Sequence, residues 1–196
     1  MRRIALAVLF ACTACAGSGE PTHAPTDAAA DADASDDVTQ GTAGTTVVFL
    51  VRHAEKGSEG KDPPLTDAGS ARATCLAGML KDAGVTHLFA TEYQRTQLTV
   101  APLAAALGLE VVVLPPADGD ALIEQLDGLP PNSVAVVAGH SNTVPAIAAA
   151  LGGGMTDLDE KGYIPHETYD LLVQVFRAPD VRATQLQLHY CAPSSQ

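Results

Sequence analysis

The chain has 196 residues, of which 46% are apolar, and it carries a formal net charge of −12. That length and apolar content suffice for one domain with a buried core. A chain so acidic lacks the basic face with which nucleic-acid-binding proteins contact phosphates, so nucleic acid is excluded as a partner. Any anionic ligand would also be repelled at long range, and its capture requires a local cluster of cations.

Residues 1–16 have the pattern of an export signal. Two arginines precede the apolar run Ile4–Ala11, which is too short to span a bilayer as a mature helix, and small residues follow it. The end of this segment resembles a bacterial lipoprotein signal, in which a cysteine becomes the lipidated first residue. Cys12 and Cys15 are the two candidates, and simple cleavage after Ala16 is the alternative. We expect an exported protein of the periplasm or cell envelope whose only membrane contact is an N-terminal lipid anchor.

Residues 17–44 consist mainly of Ala, Asp, Thr, Gly and Pro, with almost no large apolar side chain. Such a segment cannot bury enough surface to offset the entropy lost on ordering. It is predicted to be a solvated tether, and the folded domain is expected over residues 45–196.

The domain alternates strands and helices. Its first strand is a continuous apolar run, which is typical of a strand buried on both faces of a parallel sheet. The predicted strands are Thr46–Val51, His87–Ala90, Glu110–Leu114, Val134–Ala138, Tyr169–Phe176 and Thr184–Tyr190. The predicted helices run from the N-cap Thr66 to about Ala83, from Tyr93 to Leu107, from Asp118 to Leu126 and from Thr143 to Leu151. This alternation predicts a three-layer α/β/α sandwich with a mostly parallel sheet.

Polar side chains follow three of the predicted strands. The first strand leads directly into Arg52 and His53, the second leads into Glu92 and Arg95, and the fourth leads into His140. Ligands of open α/β sheets collect at the carboxyl ends of the strands. We therefore expect two arginines, two histidines and a carboxylate to share one region.

These residue types suit phosphoryl transfer. Arginine forks match phosphate oxygens bidentately, and a neutral imidazole is a competent nucleophile toward phosphorus. Taken one at a time, the arginines are equally explained as ion-pair partners and the histidines as hydrogen-bonded core residues. Their convergence at strand ends favours a site.

Four segments carry a resemblance to a known family, and they stand in that family's order. They are Val51–Lys56 (its RH-[GA]-E signature), Asp62–Gly69 (LT-x-x-G), Ala90–Thr96 (S-x-x-x-R-[AT]) and Val137–Asn142 (GHSN). Over about residues 45–190 the chain therefore resembles the histidine phosphatase (phosphoglycerate mutase-like) superfamily, in its compact branch. The resemblance implies that fold and a phosphatase without metal or other cofactor. An inactive member that serves as an envelope binding or signalling protein is the alternative.

The resemblance also implies roles for individual residues. His53 becomes the phosphohistidine, and Arg52, Arg95 and His140 complete the phosphoryl pocket. Asn142 either contacts phosphate or caps the helix that follows it.

The proton donor is left open among three carboxylates. Glu92 is the first choice because it precedes Arg95 by three residues and leaves its strand near the pocket, although an ordinary carboxylate at a helix N-terminus explains it equally well. Glu55 is expected to orient the Arg-His backbone or an arginine. Glu167 is the third candidate.

The leaving group is expected to contact three variable loops, over Lys56–Lys61, Pro115–Asp120 and Met155–His166. A small phosphorylated substrate is expected, either a phosphomonoester of a small molecule or an envelope sugar. The oligomeric state is left open. If the domain is exported, Cys75 and Cys191 are candidates for a disulfide between the first helix and the C-terminal end.

Overall fold

A computed structural model describes residues 44–179 and 181–191. The predicted export signal over residues 1–16 and the predicted tether up to residue 43 lie outside the described residues. The strands are β1 (Thr46–Arg52), β2 (His87–Thr91), β3 (Val111–Leu114), β4 (Val134–Gly139), β5 (Leu171–Ala178) and β6 (Val181–His189). The helices are α1 (Asp67–Leu80), α2 (Gln94–Leu107), α3 (Gly119–Asp127) and α4 (Thr143–Ala150).

All ten predicted elements are present, and their boundaries differ by a few residues. Helix α1 ends at Leu80 rather than near Ala83, because the Ala83 N–H bonds to the Leu80 carbonyl and tightens the chain into a turn. Strand β5 begins at Leu171, two residues after the predicted start. Strand β6 begins at Val181, three residues before the predicted start.

The six strands form one mixed sheet in the order β3-β2-β4-β1-β5-β6. The pairs β3-β2, β2-β4 and β4-β1 are parallel, whereas β5 runs antiparallel to both of its neighbours. Strand β1 is therefore central, with β4 on one side and β5 on the other. The carboxyl ends of β1, β4 and β2 are adjacent, which is where the polar side chains were expected.

The helices cover both faces of the sheet in three layers. Alternate residues of β1 show the division, because Val48 and Leu50 pack on one face and Phe49 and Val51 on the other. The face of Val48 and Leu50 is covered by α3 and α4, and the opposite face by α1 and α2. The predicted burial of β1 on both faces is confirmed.

The expected helix signals are present at α1 and α2. The Thr66 hydroxyl accepts a hydrogen bond from the Gly69 N–H at 3.1 Å and so caps α1. Helix α2 ends at Gly108, whose φ of 66° lies in the left-handed region that glycine adopts readily.

A disulfide joins Cys75 in α1 to Cys191, directly after β6. The two Cα atoms are 6.2 Å apart, within the usual range for a disulfide. The bond ties the C-terminal end of the sheet to the helix layer on one face. Within residues 44–179 and 181–191, no helix has the length and apolar character needed to cross a bilayer.

Candidate active site

A cleft of about 510 Å³ lies at the carboxyl ends of β1, β2 and β4. It brings together Arg52, His53, Arg95, His140 and Asn142, five of the six residues that sequence analysis selected for the site. The other lining residues are Lys56, Tyr93, Pro116, Ala117, Ser141, Thr143 and His166. Each of the three loops expected to contact the leaving group contributes at least one of them.

His53 is held in one orientation. Its backbone N–H donates to the Gly139 carbonyl at 2.9 Å, across the β1-β4 pair. Its ring Nδ1 lies 2.8 Å from the Ala54 carbonyl oxygen. Because a carbonyl only accepts, Nδ1 carries the proton and Nε2 keeps its lone pair. Nε2 is thus the nitrogen available to attack an electrophile.

Burial lowers the pKa of His53 to about 3, and the positive charges of nearby groups, chiefly Arg52, act in the same direction. The side chain is only 5% exposed. Burial also lowers the pKa of His140 to about 4, with further lowering by Arg95 and Arg52. Both imidazoles are therefore neutral near neutral pH, the protonation state that a nucleophile needs.

These lowered pKa values predict how stability depends on pH. Because each histidine titrates near 6.5 in the unfolded chain and near 3 to 4 in the folded one, the unfolded chain takes up protons first as the pH falls. Stability is fully present above about pH 6.5 and is lost as the pH drops below it. Urea unfolding of wild type and His53→Asn should show a shallower loss in the variant, by about 1 kcal/mol per pH unit. Parallel curves for the two proteins would contradict a neutral, buried His53.

Arg52 donates hydrogen bonds to the loop that precedes β5. Its Nη1 donates to the carbonyls of Pro165, His166 and Thr168 at 2.9, 2.7 and 3.0 Å. Its guanidinium also lies 4.2 Å from the centre of the Tyr169 ring. The arginine is 4% exposed, so β1 delivers a buried cation that also shapes the wall of the cleft.

Arg95 approaches the cleft from the first turn of α2. Its guanidinium lies 4.1 Å from the centre of the Tyr93 ring, and its Nη1 lies 3.4 Å from an Asp62 carboxylate oxygen. Asp62 accepts shorter hydrogen bonds from the backbone N–H of Gln94, at 3.0 and 3.1 Å. The carboxylate therefore fixes the start of α2 more firmly than it neutralises Arg95.

Three buried side-chain polar atoms of the described residues have no hydrogen-bond partner: Arg52 Nε, Arg95 Nε and the Tyr190 hydroxyl. Buried donors are almost always paired, because leaving one unpaired is unfavourable by about 1–3 kcal/mol. Two of the three belong to the arginines of the cleft. Both arginines also line the cleft, so an anion bound there would lie beside two guanidinium groups.

Hydrogen bonds hold both the backbone and the ring of His140. Its backbone N–H donates to the Thr143 hydroxyl at 2.8 Å, and its ring Nε2 lies 2.9 Å from the Thr91 hydroxyl. The rings of His53 and His140 are 5.6 Å apart, centre to centre. The ring of Tyr93 packs edge-on against His140 at 5.4 Å. The second histidine is thereby held beside the first.

Glu55 pairs with Arg72, a residue that sequence analysis missed. Arg72 Nε donates to both carboxylate oxygens at 3.0 Å, and its Nη2 donates to one of them at 2.7 Å. Burial raises the pKa of the Glu55 carboxyl, but the hydrogen bonds and charge of Arg72 outweigh this, so the net pKa is below its ordinary value. Glu55 thus stays ionised at neutral pH. The expectation that it orients an arginine agrees with this geometry.

The packing of α1 explains why Gly69 stands close to Glu55. The Thr66 N–H donates to the Glu55 carbonyl at 3.0 Å, which draws the first turn of the helix onto this segment. A Cβ atom at position 69 would collide with that same carbonyl. Glycine is therefore required at position 69. This close contact with α1 holds the segment after His53 in place.

Glu92 does not reach the cleft. It lies between Thr91 and Tyr93, whose side chains both contact His140. Glu92 itself is exposed and is not among the residues that line the cleft. The expectation that Glu92 stands at the pocket is wrong on this geometry.

The structure also places His166, Glu167 and Asn142 relative to the cleft. His166 lines the cleft, and its Nδ1 lies 2.7 Å from Glu167, the third carboxylate candidate. Asn142 occupies the N-cap position of α4 but makes no side-chain capping hydrogen bond. Its side chain is exposed on the cleft, so the capping alternative has no support in this structure.

No group of three or more His, Cys, Asp or Glu side chains in the described part of the chain is arranged to hold a metal ion. The side chains of the cleft offer an unprotonated imidazole nitrogen, two guanidinium groups and a second imidazole.

Residues 48–117 match the family profile described as the histidine phosphatase superfamily, branch 1. This region contains His53 and both cleft arginines. The probable phosphoglycerate mutase GpmB of Yersinia enterocolitica is 39% identical over 75 residues, which are 35% of each chain. The chain thus spans about a third of the length of the curated relatives it matches.

Solved structures are similar over most of the domain. The protein histidine phosphatase SixA complexed with tungstate has a TM-score of 0.56 at 22% identity, covering 73% of this chain and 96% of that one. A mycobacterial glucosyl-3-phosphoglycerate phosphatase has a TM-score of 0.55 at 14% identity, covering 75% and 100%. At such identities these likenesses establish the fold, which is the expected α/β sandwich.

Proposed function

We propose that this chain, whose residues 48–117 match the histidine phosphatase superfamily, is a metal-independent phosphatase that hydrolyses phosphomonoesters through a phosphohistidine on His53. The relatives named above include a mutase and phosphatases. We favour hydrolysis because a mutase must keep its phosphoenzyme from water, which calls for a more enclosed site.

The observation that carries the proposal is the meeting of Arg52, Arg95 and His53 in one cleft, with the Nε2 of His53 unprotonated. A phosphoryl group in the cleft would accept hydrogen bonds from both arginines while its phosphorus faces the nucleophile. In a buried site, fixed cations stabilise the charge that spreads over the phosphoryl oxygens in the transition state. His140, neutral and fixed by Thr91, adds a further polar contact.

The reaction then takes two steps. In the first, the lone pair on His53 Nε2 forms a bond to phosphorus, the ester P–O bond breaks, and the leaving oxygen takes up a proton. In the second, a water oxygen attacks phosphorus and the P–N bond breaks, which releases phosphate and restores the imidazole. The hydrogen bond from His53 Nδ1–H to the Ala54 carbonyl keeps the ring in the same tautomer through both steps.

We infer that the leaving oxygen is protonated from His166, with Glu167 behind it, rather than from Glu92. His166→Asn should lower kcat/KM for an alkyl phosphate by about 100-fold, because an alkoxide is a poor leaving group that depends on general acid catalysis. For an aryl phosphate, which leaves without that help, the loss should stay below about tenfold. Glu92→Gln is the matched comparison and should change neither rate appreciably. A selective loss of alkyl phosphate hydrolysis in Glu92→Gln would restore Glu92 as the acid.

The proposal is tested by assaying the protein against a panel of phosphate esters with and without EDTA. We expect hydrolysis that EDTA does not change. An inactive superfamily member serving as an envelope binding or signalling protein would bind phosphate or tungstate yet hydrolyse no ester. Activity that EDTA removes would overturn the metal-independent mechanism.

We also propose that residues 1–16 direct export and that Cys12 or Cys15 is lipidated. The Cys75–Cys191 disulfide supports export, because such bonds persist in oxidising compartments. Cell fractionation together with lipid labelling of Cys12→Ser and Cys15→Ser tests this. Protein that stays in the cytoplasm would contradict export, and labelling that survives both substitutions would contradict the lipid anchor.

A further inference from the structure

A second cavity, of about 260 Å³, lies between the sheet and helices α3 and α4. Most of its wall is aliphatic or aromatic. The large apolar side chains that line it are Phe89, Leu114, Leu122, Ile123, Val137 and Ile147. The small residues Ala146 and Ala150 of α4 complete this wall and leave the space open.

This apolar cavity is adjacent to the cleft. Pro116, Ala117, Asn142 and Thr143 line both spaces and therefore form their shared boundary. Thr91, whose hydroxyl bonds to His140, also lines the apolar cavity. A molecule with its phosphoryl group in the cleft would therefore have apolar surroundings next to it, beyond the boundary that the two spaces share.

The cleft and the apolar cavity differ in the charged residues on their walls. Two arginines, a lysine and three histidines line the cleft, whereas no Lys, Arg or His is found among the described residues that line the apolar cavity. The charged groups on its wall are Asp118 and Asp120, which repel anions. The cavity therefore disfavours a second phosphate or a carboxylate and favours an uncharged hydrocarbon group.

We propose that this cavity is the leaving-group subsite and that the substrates are phosphomonoesters of apolar alcohols. The inference rests on the proposed function, because it places the phosphoryl group in the cleft. An apolar cavity of about 150 Å³ is enough to hold benzene, so this one accommodates a single ring or an alkyl chain of about six carbons. Sugar phosphates, which would bury hydroxyls against aliphatic walls, are disfavoured.

Binding of n-alkyl phosphonates tests the subsite without requiring turnover. From methyl- to hexylphosphonate, the Kd measured by calorimetry should fall by about two- to fourfold per added methylene. Ala146→Leu fills the cavity and should abolish this dependence while leaving methylphosphonate binding unchanged. Ala149→Leu is the matched control, since Ala149 is exposed on the same helix and does not line the cavity. It should behave as wild type.

The outcomes separate this inference from the proposed function. A Kd independent of chain length, or an Ala146→Leu variant that weakens methyl- and hexylphosphonate equally, overturns the subsite and leaves the phosphatase standing. A chain-length dependence that Ala146→Leu removes, in a protein that hydrolyses no ester, supports the subsite and overturns the phosphatase. Failure to bind any phosphonate overturns both.

Discussion

Replacing His53 with alanine should abolish hydrolysis, with kcat/KM falling by about 10⁴-fold or more. The other histidine near it, His140, has its Nε2 engaged by the Thr91 hydroxyl, whereas the Nε2 of His53 is unprotonated. The tautomer is set by the Ala54 carbonyl and the neutral state by burial. Removal of the ring therefore removes the covalent step itself rather than slowing it. A steady-state assay with an aryl phosphate measures the loss.

The phosphoenzyme gives a second readout for the same residue. Wild type quenched in mid-turnover should carry one phosphoryl group, stable in base and labile in acid, which mass spectrometry assigns to His53. His87→Ala is the matched control, because His87 lies on β2 with its ring bonded to Thr86 and does not line the cleft. It should keep full activity and the label. A label on any other residue, or full activity of His53→Ala, would overturn the mechanism.

Replacing Arg95 with lysine should lower kcat/KM by about 10²- to 10³-fold, although the charge is kept. Arg95 lines the cleft, and its guanidinium is one of the groups assigned to the phosphoryl oxygens. Lysine carries a compact ammonium group and cannot present the planar set of N–H donors that a guanidinium offers to phosphate oxygens. The Ki of vanadate or tungstate as competitive inhibitors should rise with the loss of activity, because both readouts depend on the same contact.

Arg95 is a cleaner probe than Arg52, whose Nη1 also holds the carbonyls of residues 165, 166 and 168. Arg177→Lys serves as the control, since Arg177 pairs with Asp127 and does not line the cleft. That variant should match wild type in rate and inhibition. An Arg95→Lys protein with unchanged vanadate binding would remove Arg95 from the phosphate site.

The strand ends were predictable because they depend on two local signals. Continuous apolar runs mark strands buried on both faces, and parallel strands present their carboxyl ends at one edge of the sheet. Arg52, His53 and His140 follow such runs directly, so their meeting required no knowledge of loops. Arg95 follows one turn later, at a helix start that the sequence also indicates.

The side chains that contact the site residues could not be predicted from the sequence in the same way, because these contacts depend on where each side chain points in the folded domain. Glu92 is close to Arg95 along the chain, but it is Thr91 and Tyr93 on either side of it that contact His140. Arg72 did leave a signal that was missed. It lies on the buried stripe of α1 with Gly69, Ala73 and other small or apolar residues, and a charge on such a stripe needs a buried partner.

The apolar cavity could not be read from the sequence at all. Its walls come from β2, β3, β4, α3 and α4, and each contributes residues that any core would use. Whether such residues fill a space or surround one depends on how closely α3 approaches α4. That separation has no signature in a single chain.

The central position of β1 has a consequence for how the domain folds. Val47 pairs with Val134 on one side and with Phe176 on the other, so the first of the described strands cannot complete its hydrogen bonds until β4 and β5, far later in the chain, are available. Contacts this distant in sequence slow folding and leave the apolar strand exposed in partly folded chains. A chain that stays unfolded until its last strands are available would suit the export proposed above, because an unfolded chain can thread through a translocation channel.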